Sequence, residues 1–133
     1  MTQQIFIRSE NDIFYVLSKI RTLLQELQPS DMERQKVLVS VSELAHNILD
    51  HADGKGYIQC ERIGSEILIE AADSGPGLQN AESSCMRKTS ISRRGLGKGL
   101  AGVHRLMDEV LVETSERGTR IIATKRIQSR SAK

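Results

Sequence analysis

A glycine-rich segment stands directly before a stretch of apolar residues at helical spacing. It contains Gly95, Gly97, Lys98, Gly99 and Leu100. Free backbone N–H groups and the positive end of the dipole at a helix start favour an anion, and Lys98 adds positive charge. The segment is not a P-loop, because no Gly-Lys-Ser/Thr follows four spacer residues. Its spacing therefore indicates either an anion site or a glycine-rich linker.

A second candidate, Asp73-Ser74-Gly75-Pro76-Gly77, follows an apolar run that reads as a strand. Gly75 and Gly77, on either side of a proline, let the backbone turn sharply and let a flat ligand approach closely. Asp73 at the strand end can accept a hydrogen bond from an exocyclic amine. The competing interpretation is an ordinary turn.

A third candidate is the pair Glu43 and Asn47 in the middle of a long apolar helical stripe. Residues four apart are neighbours on one helix face. Ser40 extends this polar column one turn back. Taken alone, such a pair is typical of a solvated helix face, so only its combination with the other two motifs gives it meaning.

The apolar periodicity predicts three helices. The first two start at a serine with an acidic residue three positions later, the spacing of a capping box: Ser9 with Asp12, and Ser30 with Glu33. Pro29 is expected to end the first helix and Gly54 the second. The third carries an apolar stripe from Leu100 onward.

Alternating apolar residues predict the strands, at residues 5–7, 57–63, 66–72, 110–114 and 119–124. The order β-α-α-β-β-loop-α-β-β places most strands in hairpins. This order favours an α+β two-layer sandwich, with a mixed, mostly antiparallel sheet covered on one face by three helices. We expect one domain over residues 1–127 and a disordered tail over 128–133.

Length and composition disfavour several classes of protein. The 133 residues fit a single domain, and a net charge of +2 does not indicate nucleic-acid binding. No apolar run approaches the roughly 20 residues of a membrane span, and the N-terminus lacks a signal-peptide pattern. Cys60 and Cys85 stand alone, which disfavours a zinc module and favours free thiols. The expected location is the cytoplasm.

In this order along the chain, the three motifs resemble those of the GHKL (Bergerat-fold) ATPases. Within that superfamily the chain is similar to the small anti-sigma and switch-type serine/threonine protein kinases. Residues 42–48 (SELAHNI) and 95–109 (GLGKGLAGVHRLMDE) look most like the stressosome switch kinases. The resemblance extends over nearly the whole chain.

The resemblance implies ATP and Mg²⁺ as ligands. It implies that Asn47 holds Mg²⁺ at the phosphates, that Glu43 is the general base for an incoming hydroxyl, and that Asp73 receives the adenine amino group. Residues 78–94 would form a lid over the nucleotide. The other nucleotide contacts are expected at Gly75, Gly77, Gly95, Gly97, Gly99, Leu100 and Thr119, with Lys98 added for its charge.

By this resemblance the first hypothesis is an ATP- and Mg²⁺-dependent serine/threonine protein kinase. Its substrate would be a STAS-type antagonist protein in a partner-switching stress or sigma-factor pathway. The alternative is an ATP-binding anti-sigma factor that sequesters a sigma factor or another regulator without substantial kinase activity. Glu43 favours the kinase, because a purely structural nucleotide site needs no base.

A third reading is the catalytic half of a two-component histidine kinase. It is weakened because no dimerisation helix with a phospho-acceptor histidine precedes the domain. A phosphatase regulator and a second copy of the chain stay open as partners. Nucleic acid and membrane are not expected as partners.

Overall fold

The computed structural model describes residues 3–51, 55–74, 98–115 and 118–128. These residues form three helices and five strands. In chain order they are β1 Ile5–Phe6, α1 Glu10–Gln25, α2 Asp31–His51, β2 Gly56–Ile63, β3 Glu66–Asp73, α3 Lys98–Leu106, β4 Glu109–Ser115 and β5 Gly118–Arg126. The predicted lid over residues 78–94, and Gly54, lie outside the described residues.

The five strands form one sheet in the order β1-β2-β3-β5-β4. All four described pairings are antiparallel. The predicted α+β class and its helix-covered sheet are confirmed, and the parallel pairing that a mixed sheet would add does not occur among these strands. A turn at Gly64 joins β2 to β3, and the φ of Gly64, 63°, lies in the left-handed region that glycine adopts without strain.

The hydrophobic core lies between the helices and one face of the sheet, because side chains alternate between the two faces of a strand. Helix α2 lies centrally in the helix layer and contacts both α1 and α3. The largest fully buried side chains come from all three helices, from β2 and β3, and from Ile7, which follows β1; they include Ile7, Ile13, Ile20, Leu44, Ile58, Ile67, Ile69 and Leu100.

Both predicted helix starts are stabilised by their serine pairs. The backbone N–H of Ser9 donates to Asp12 Oδ2 at 3.0 Å, and the backbone N–H of Glu33 donates to Ser30 Oγ at 3.1 Å. Helix α1 ends at Gln25, four residues earlier than the prediction from Pro29. The reason is that the chain turns at Gln28, whose φ is 50°, before it reaches the proline.

The end of the described chain is attached to the fold. Ile127 is only 3% exposed, and its backbone N–H donates to the Ser65 carbonyl at 2.8 Å. The backbone N–H of Gln128, the first residue of the predicted tail, donates to the Glu33 carboxylate at 3.2 Å. Residues 129–133 lie outside the described residues. Among the described helices, none has the length and apolar character needed to cross a membrane.

The cap at Ser30 generates a stability prediction. Ser30→Ala removes the hydroxyl that accepts from Glu33 N–H and should lower the free energy of unfolding by about 1 kcal/mol. Ser18→Ala, at an exposed position inside α1, is the matched control and should change it by less than about 0.5 kcal/mol. Urea denaturation measures both; equal effects would contradict the capping role.

Candidate functional site

Four residues form a row across one end of the sheet, which we call the terminal row. In order across the sheet they are Gly56 on β2, Asp73 on β3, Thr119 on β5 and Thr114 on β4. Each is the Cα partner of the next in the strand register. Directly opposed residues of antiparallel strands share a face. A Cβ at Gly56 would lie 2.7 Å from Ile48 Cγ2 of α2, so the row faces the helix layer.

Glycines on the two neighbouring strands leave room for the backbone of Asp73. A Cβ at Gly56 would also lie 2.8 Å from Asp73 Cβ. Gly118, at the start of β5, has a φ of 147°, and a Cβ there would collide with the Asp73 carbonyl oxygen. No other residue type fits at either position without displacing backbone or α2. Asp73 is therefore held between β2 and β5 by close backbone contacts.

The far half of the row consists of two threonines. Thr119 is 7% exposed, and its Oγ1 lies 2.9 Å from Thr114 Oγ1, a hydrogen bond in which either hydroxyl can donate. Asp73, Thr114 and Thr119 line a cavity of about 300 Å³, together with Ala72, Glu113, Ser115, Gly118 and Arg120. A carboxylate acceptor beside a hydroxyl suits a flat heterocycle that carries an amine.

Glu43 and Asn47 lie on α2, both half-buried. Asn47 precedes Ile48, whose methyl group packs at Gly56, so this turn of α2 lies next to the terminal row. His46 contacts α1: its Nε2 lies 3.4 Å from Glu10 Oε2. Around the helix axis, Asn47 is rotated by about 100° from His46 and Glu43 by about 60°. Asn47 of the predicted polar column therefore lies in the turn next to the terminal row, and Glu43 lies one turn before it.

The glycine-rich segment is only partly described. Lys98 and Gly99 are the first two residues of α3, which is the helix start that the anion-site hypothesis requires. Leu100 is 1% exposed, so its side chain belongs to the core and only its backbone could face a ligand. Gly75, Gly77, Gly95 and Gly97 lie outside the described residues, and the ligand roles of all these positions stay predictions.

Sequence reasoning did not identify three residues of the site: Gly56, Thr114 and Gly118. Gly56 and Gly118 each lie directly before a predicted strand, at residues 57–63 and 119–124, and had no role in the motifs. One signal was available for Thr114. In a hairpin centred between residues 116 and 117, positions 114 and 119 lie opposite each other, and both are threonine.

The described residues offer few ligands to a cation, which is compatible with a Mg²⁺ ion that is held mainly by water and substrate phosphates. Within the described part of the chain, no three His, Cys, Asp or Glu side chains lie close enough together to hold a metal ion. Mg²⁺ usually keeps several waters and takes one or two protein oxygens plus substrate phosphates. The Asn47 amide oxygen is compatible with that arrangement.

A polar cluster lies on the face of the sheet that the helices do not cover, which we call the open face. It is on the opposite side of the sheet from the terminal row. Glu70 on β3 accepts from Arg120 Nε and from Gln59 Nε2, both at 3.1 Å, and Arg120 also lies 3.7 Å from Glu113. Burial and the neighbouring Glu70 raise the pKa of Tyr57. The cluster links β2, β3, β5 and β4 and has a structural role.

Cys60, on β2, is a free thiol as predicted. It is half-buried and packs against the core, and burial raises the pKa of its thiol. A raised pKa keeps the thiol protonated at neutral pH, which disfavours a nucleophilic role. Cys85 lies outside the described residues.

The terminal row beneath a polar helix column agrees with the comparison to known families. Residues 11–125 match the histidine kinase-like ATPase domain. The chain belongs to this family. This confirms the predicted resemblance to the GHKL ATPases and, with it, a domain of the ATP-binding type.

Two curated relatives are similar over most of their length. The serine/threonine-protein kinase RsbT of Bacillus subtilis is 36% identical over 124 residues, which cover 90% of this chain and 92% of RsbT. The anti-sigma F factor of Clostridium botulinum strain Eklund 17B is 30% identical over 123 residues, covering 86% of this chain and 85% of that protein. One relative is thus named a kinase and the other an anti-sigma factor.

Solved structures show the same fold at low identity. A chain of the SiaB–SiaC complex from Pseudomonas aeruginosa superposes with a TM-score of 0.72 at 17% identity, covering 93% of this chain and 88% of that one. The RsbU and RsbW domains of Rv1364c from Mycobacterium tuberculosis give a TM-score of 0.68 at 16% identity, covering 96% of this chain and 32% of that one.

The close contact between Gly118 and Asp73 generates a prediction. Gly118→Ala should lower the free energy of unfolding by about 2 kcal/mol or more, because it combines a strained positive φ with a clash against backbone. Gly102→Ala, inside α3 where a Cβ meets nothing within 4 Å, should raise it by about 0.5–1 kcal/mol. Thermal unfolding of both variants measures the contrast, and a stable Gly118→Ala protein would contradict the packing described.

Proposed function

We propose that this chain is an ATP- and Mg²⁺-dependent serine/threonine protein kinase that phosphorylates a STAS-type antagonist protein in a partner-switching pathway. One observation carries the proposal: α2 packs through Ile48, the residue after Asn47, against the end of the sheet at which Asp73 and Thr119 line a cavity. The similarity to RsbT, which covers nine tenths of the chain, supports a kinase within the family.

The terminal row would bind the adenine base. Asp73 accepts the hydrogen bond of the exocyclic amine, and Thr119 provides a hydroxyl on the adjacent strand. The two glycines beside Asp73 keep its backbone fixed, so the carboxylate is positioned before the ligand arrives. Such a positioned acceptor reduces the ordering cost of binding.

The start of α3 and Asn47 of α2 would bind the phosphates and their Mg²⁺ ion. Asn47 offers an amide oxygen to Mg²⁺, and the start of α3 at Lys98 offers backbone N–H groups to phosphate oxygens. When bound, ATP supplies the phosphoryl group and Mg²⁺ neutralises its charge. The contribution of the protein is then mainly positioning, as is general for phosphoryl transfer.

Glu43 would act on the acceptor hydroxyl. It lies one helical turn before Asn47, so its carboxylate is a neighbour of the residue assigned to the metal. A half-buried carboxylate in this place can accept the proton of a serine or threonine hydroxyl that approaches the phosphates from solvent. The residue is not needed for binding the base, because the terminal row performs that role.

The second candidate function is an ATP-binding anti-sigma factor that sequesters a regulator. The observation that favours it is the 30% identity to an anti-sigma F factor over 123 residues. The two functions use the same nucleotide site and differ in whether phosphate is transferred. A transfer assay therefore decides between them.

The assignment of Asp73 is tested with two nucleotides. Asp73→Asn places an amine opposite the adenine amine and should weaken ADP binding by about 1–3 kcal/mol. Inosine diphosphate carries a carbonyl in that position, so the parent should bind ADP more tightly and the variant should lose this preference. Calorimetry with Mg²⁺ measures all four affinities; an unchanged preference for ADP in Asp73→Asn would refute the assignment.

The kinase activity is tested by Glu43→Gln, which keeps the size of the side chain and removes the base. Transfer of labelled γ-phosphate to purified STAS-domain proteins of the source organism should fall by about 10²–10⁴-fold, while ADP affinity stays close to that of the parent. Glu61→Gln, an exposed carboxylate on β2, is the control and should leave both values unchanged.

The possible outcomes separate the two functions. Transfer by the parent that is lost only in Glu43→Gln supports the kinase with Glu43 as base. Equal transfer by the parent and Glu43→Gln removes Glu43 from the chemistry. ADP binding by the parent without transfer to any STAS-domain protein supports the sequestering function instead.

A further inference from the structure

The pair Thr114 and Thr119 suggests how the site distinguishes one base from another. We propose that Thr114 is a positioning residue for purine recognition: its hydroxyl donates to Thr119 and so leaves the Thr119 proton directed toward the ligand. This inference rests on the proposed nucleotide binding and extends it to a residue whose effect on the base is exerted through Thr119.

The geometry of the pair is well defined. Thr114 and Thr119 are direct Cα partners on β4 and β5, and their Oγ1 atoms lie 2.9 Å apart. Thr119 is 7% exposed, and both side chains are β-branched, which restricts their χ1 rotamers. A threonine hydroxyl has one proton and two acceptor positions. The direction of the Thr114–Thr119 bond therefore decides what Thr119 can offer to a ligand.

The chemistry of purines makes this direction matter. Adenine presents an amine, a donor, next to a ring nitrogen that accepts, whereas guanine presents a carbonyl next to an N–H. Asp73, the Cα partner of Thr119 on the other side, can only accept when ionised. An acceptor at Asp73 beside a donor at Thr119 is complementary to the amine and ring nitrogen of adenine, and it is mismatched with the carbonyl and N–H of guanine. While the bond between the two hydroxyls is kept, Thr119 acts as that donor only if Thr114 donates to it; without that bond the Thr119 hydroxyl rotates freely and can also accept from guanine.

The residues around the pair maintain its spacing. On the open face of the sheet, Arg120 lies 3.7 Å from Glu113 and 3.1 Å from Glu70. These two ion pairs link β4, β5 and β3 one residue away from the threonines. They help keep the end of the β4–β5 hairpin in the register that brings the two hydroxyls together.

The test uses two substitutions at one position. Thr114→Val keeps the β-branched shape and removes the hydroxyl, whereas Thr114→Ser keeps the hydroxyl. We expect Thr114→Val to weaken ADP binding about five-fold, the worth of one neutral hydrogen bond, and to reduce the ratio of ADP to GDP affinity. Thr114→Ser should stay near the parent in both values. Thr124→Val, the same change further along the sheet, is the control and should change neither.

Calorimetry with ADP and GDP in the presence of Mg²⁺ gives the ratio, and thermal unfolding of each variant shows whether the fold is kept. A merely structural role for Thr114 would lower the affinities for ADP and GDP by the same factor, which would overturn the inference. A serine variant as weak as the valine variant would overturn it too. If the parent does not bind ADP, the proposed function fails and this inference fails with it; if it binds and Thr114→Val keeps the parent ratio, only this inference fails.

Discussion

The close approach of α2 to the sheet at Gly56 is the contact on which the rest of the site depends. The Ile48 methyl group occupies the space that a side chain at residue 56 would need. Ile48 follows Asn47 in the helix, and Gly56 is the register partner of Asp73 in the sheet. This packing contact therefore limits how far the Asn47 turn of α2 can lie from the residue assigned to the base. A larger residue at position 56 would separate the two halves of the site.

The second constraint is strand register. Two hairpins, β2–β3 and β4–β5, meet in the β3–β5 pairing, and only one combination of registers places Gly56, Asp73, Thr119 and Thr114 in one row. A slip of one residue in any strand would turn its row member to the open face. The ion pairs of Arg120 on that open face oppose such a slip. The polar cluster on the open face and the terminal row on the helix-covered face thus depend on the same strand register.

Most of the fold was predictable because its patterns are local. Capping pairs such as Ser30 with Glu33 indicate helix starts, and alternation indicates strands, since both depend on residues near in sequence. The end of α1 was predicted wrongly from Pro29, because the left-handed turn at Gln28 comes first. A glutamine in that conformation has no strong sequence pattern.

The site was predictable only in part, and for a different reason. Asp73 was a candidate from its own motif and Thr119 from the resemblance to a family, whereas the need for glycine at positions 56 and 118 arises from atoms on other elements. A glycine required by a neighbouring helix looks like any other glycine in the sequence. Leu100 is a further case in which the sequence pattern is not enough. Its place in the glycine-rich segment suggested a ligand contact, but its side chain is buried in the core.

The proposed division of labour in the site would account for a family that includes one protein named a kinase and another named an anti-sigma factor. In this proposal the sheet recognises the base through the terminal row. The proposed chemistry falls to α2, through Glu43, which is not part of that row. Because the two sets lie on separate elements, a change at Glu43 can alter catalysis while the nucleotide stays bound. On this proposal the shared fold accounts for nucleotide binding, whereas phosphate transfer depends on the residue at position 43, so the fold alone does not decide whether a member of the family is a kinase.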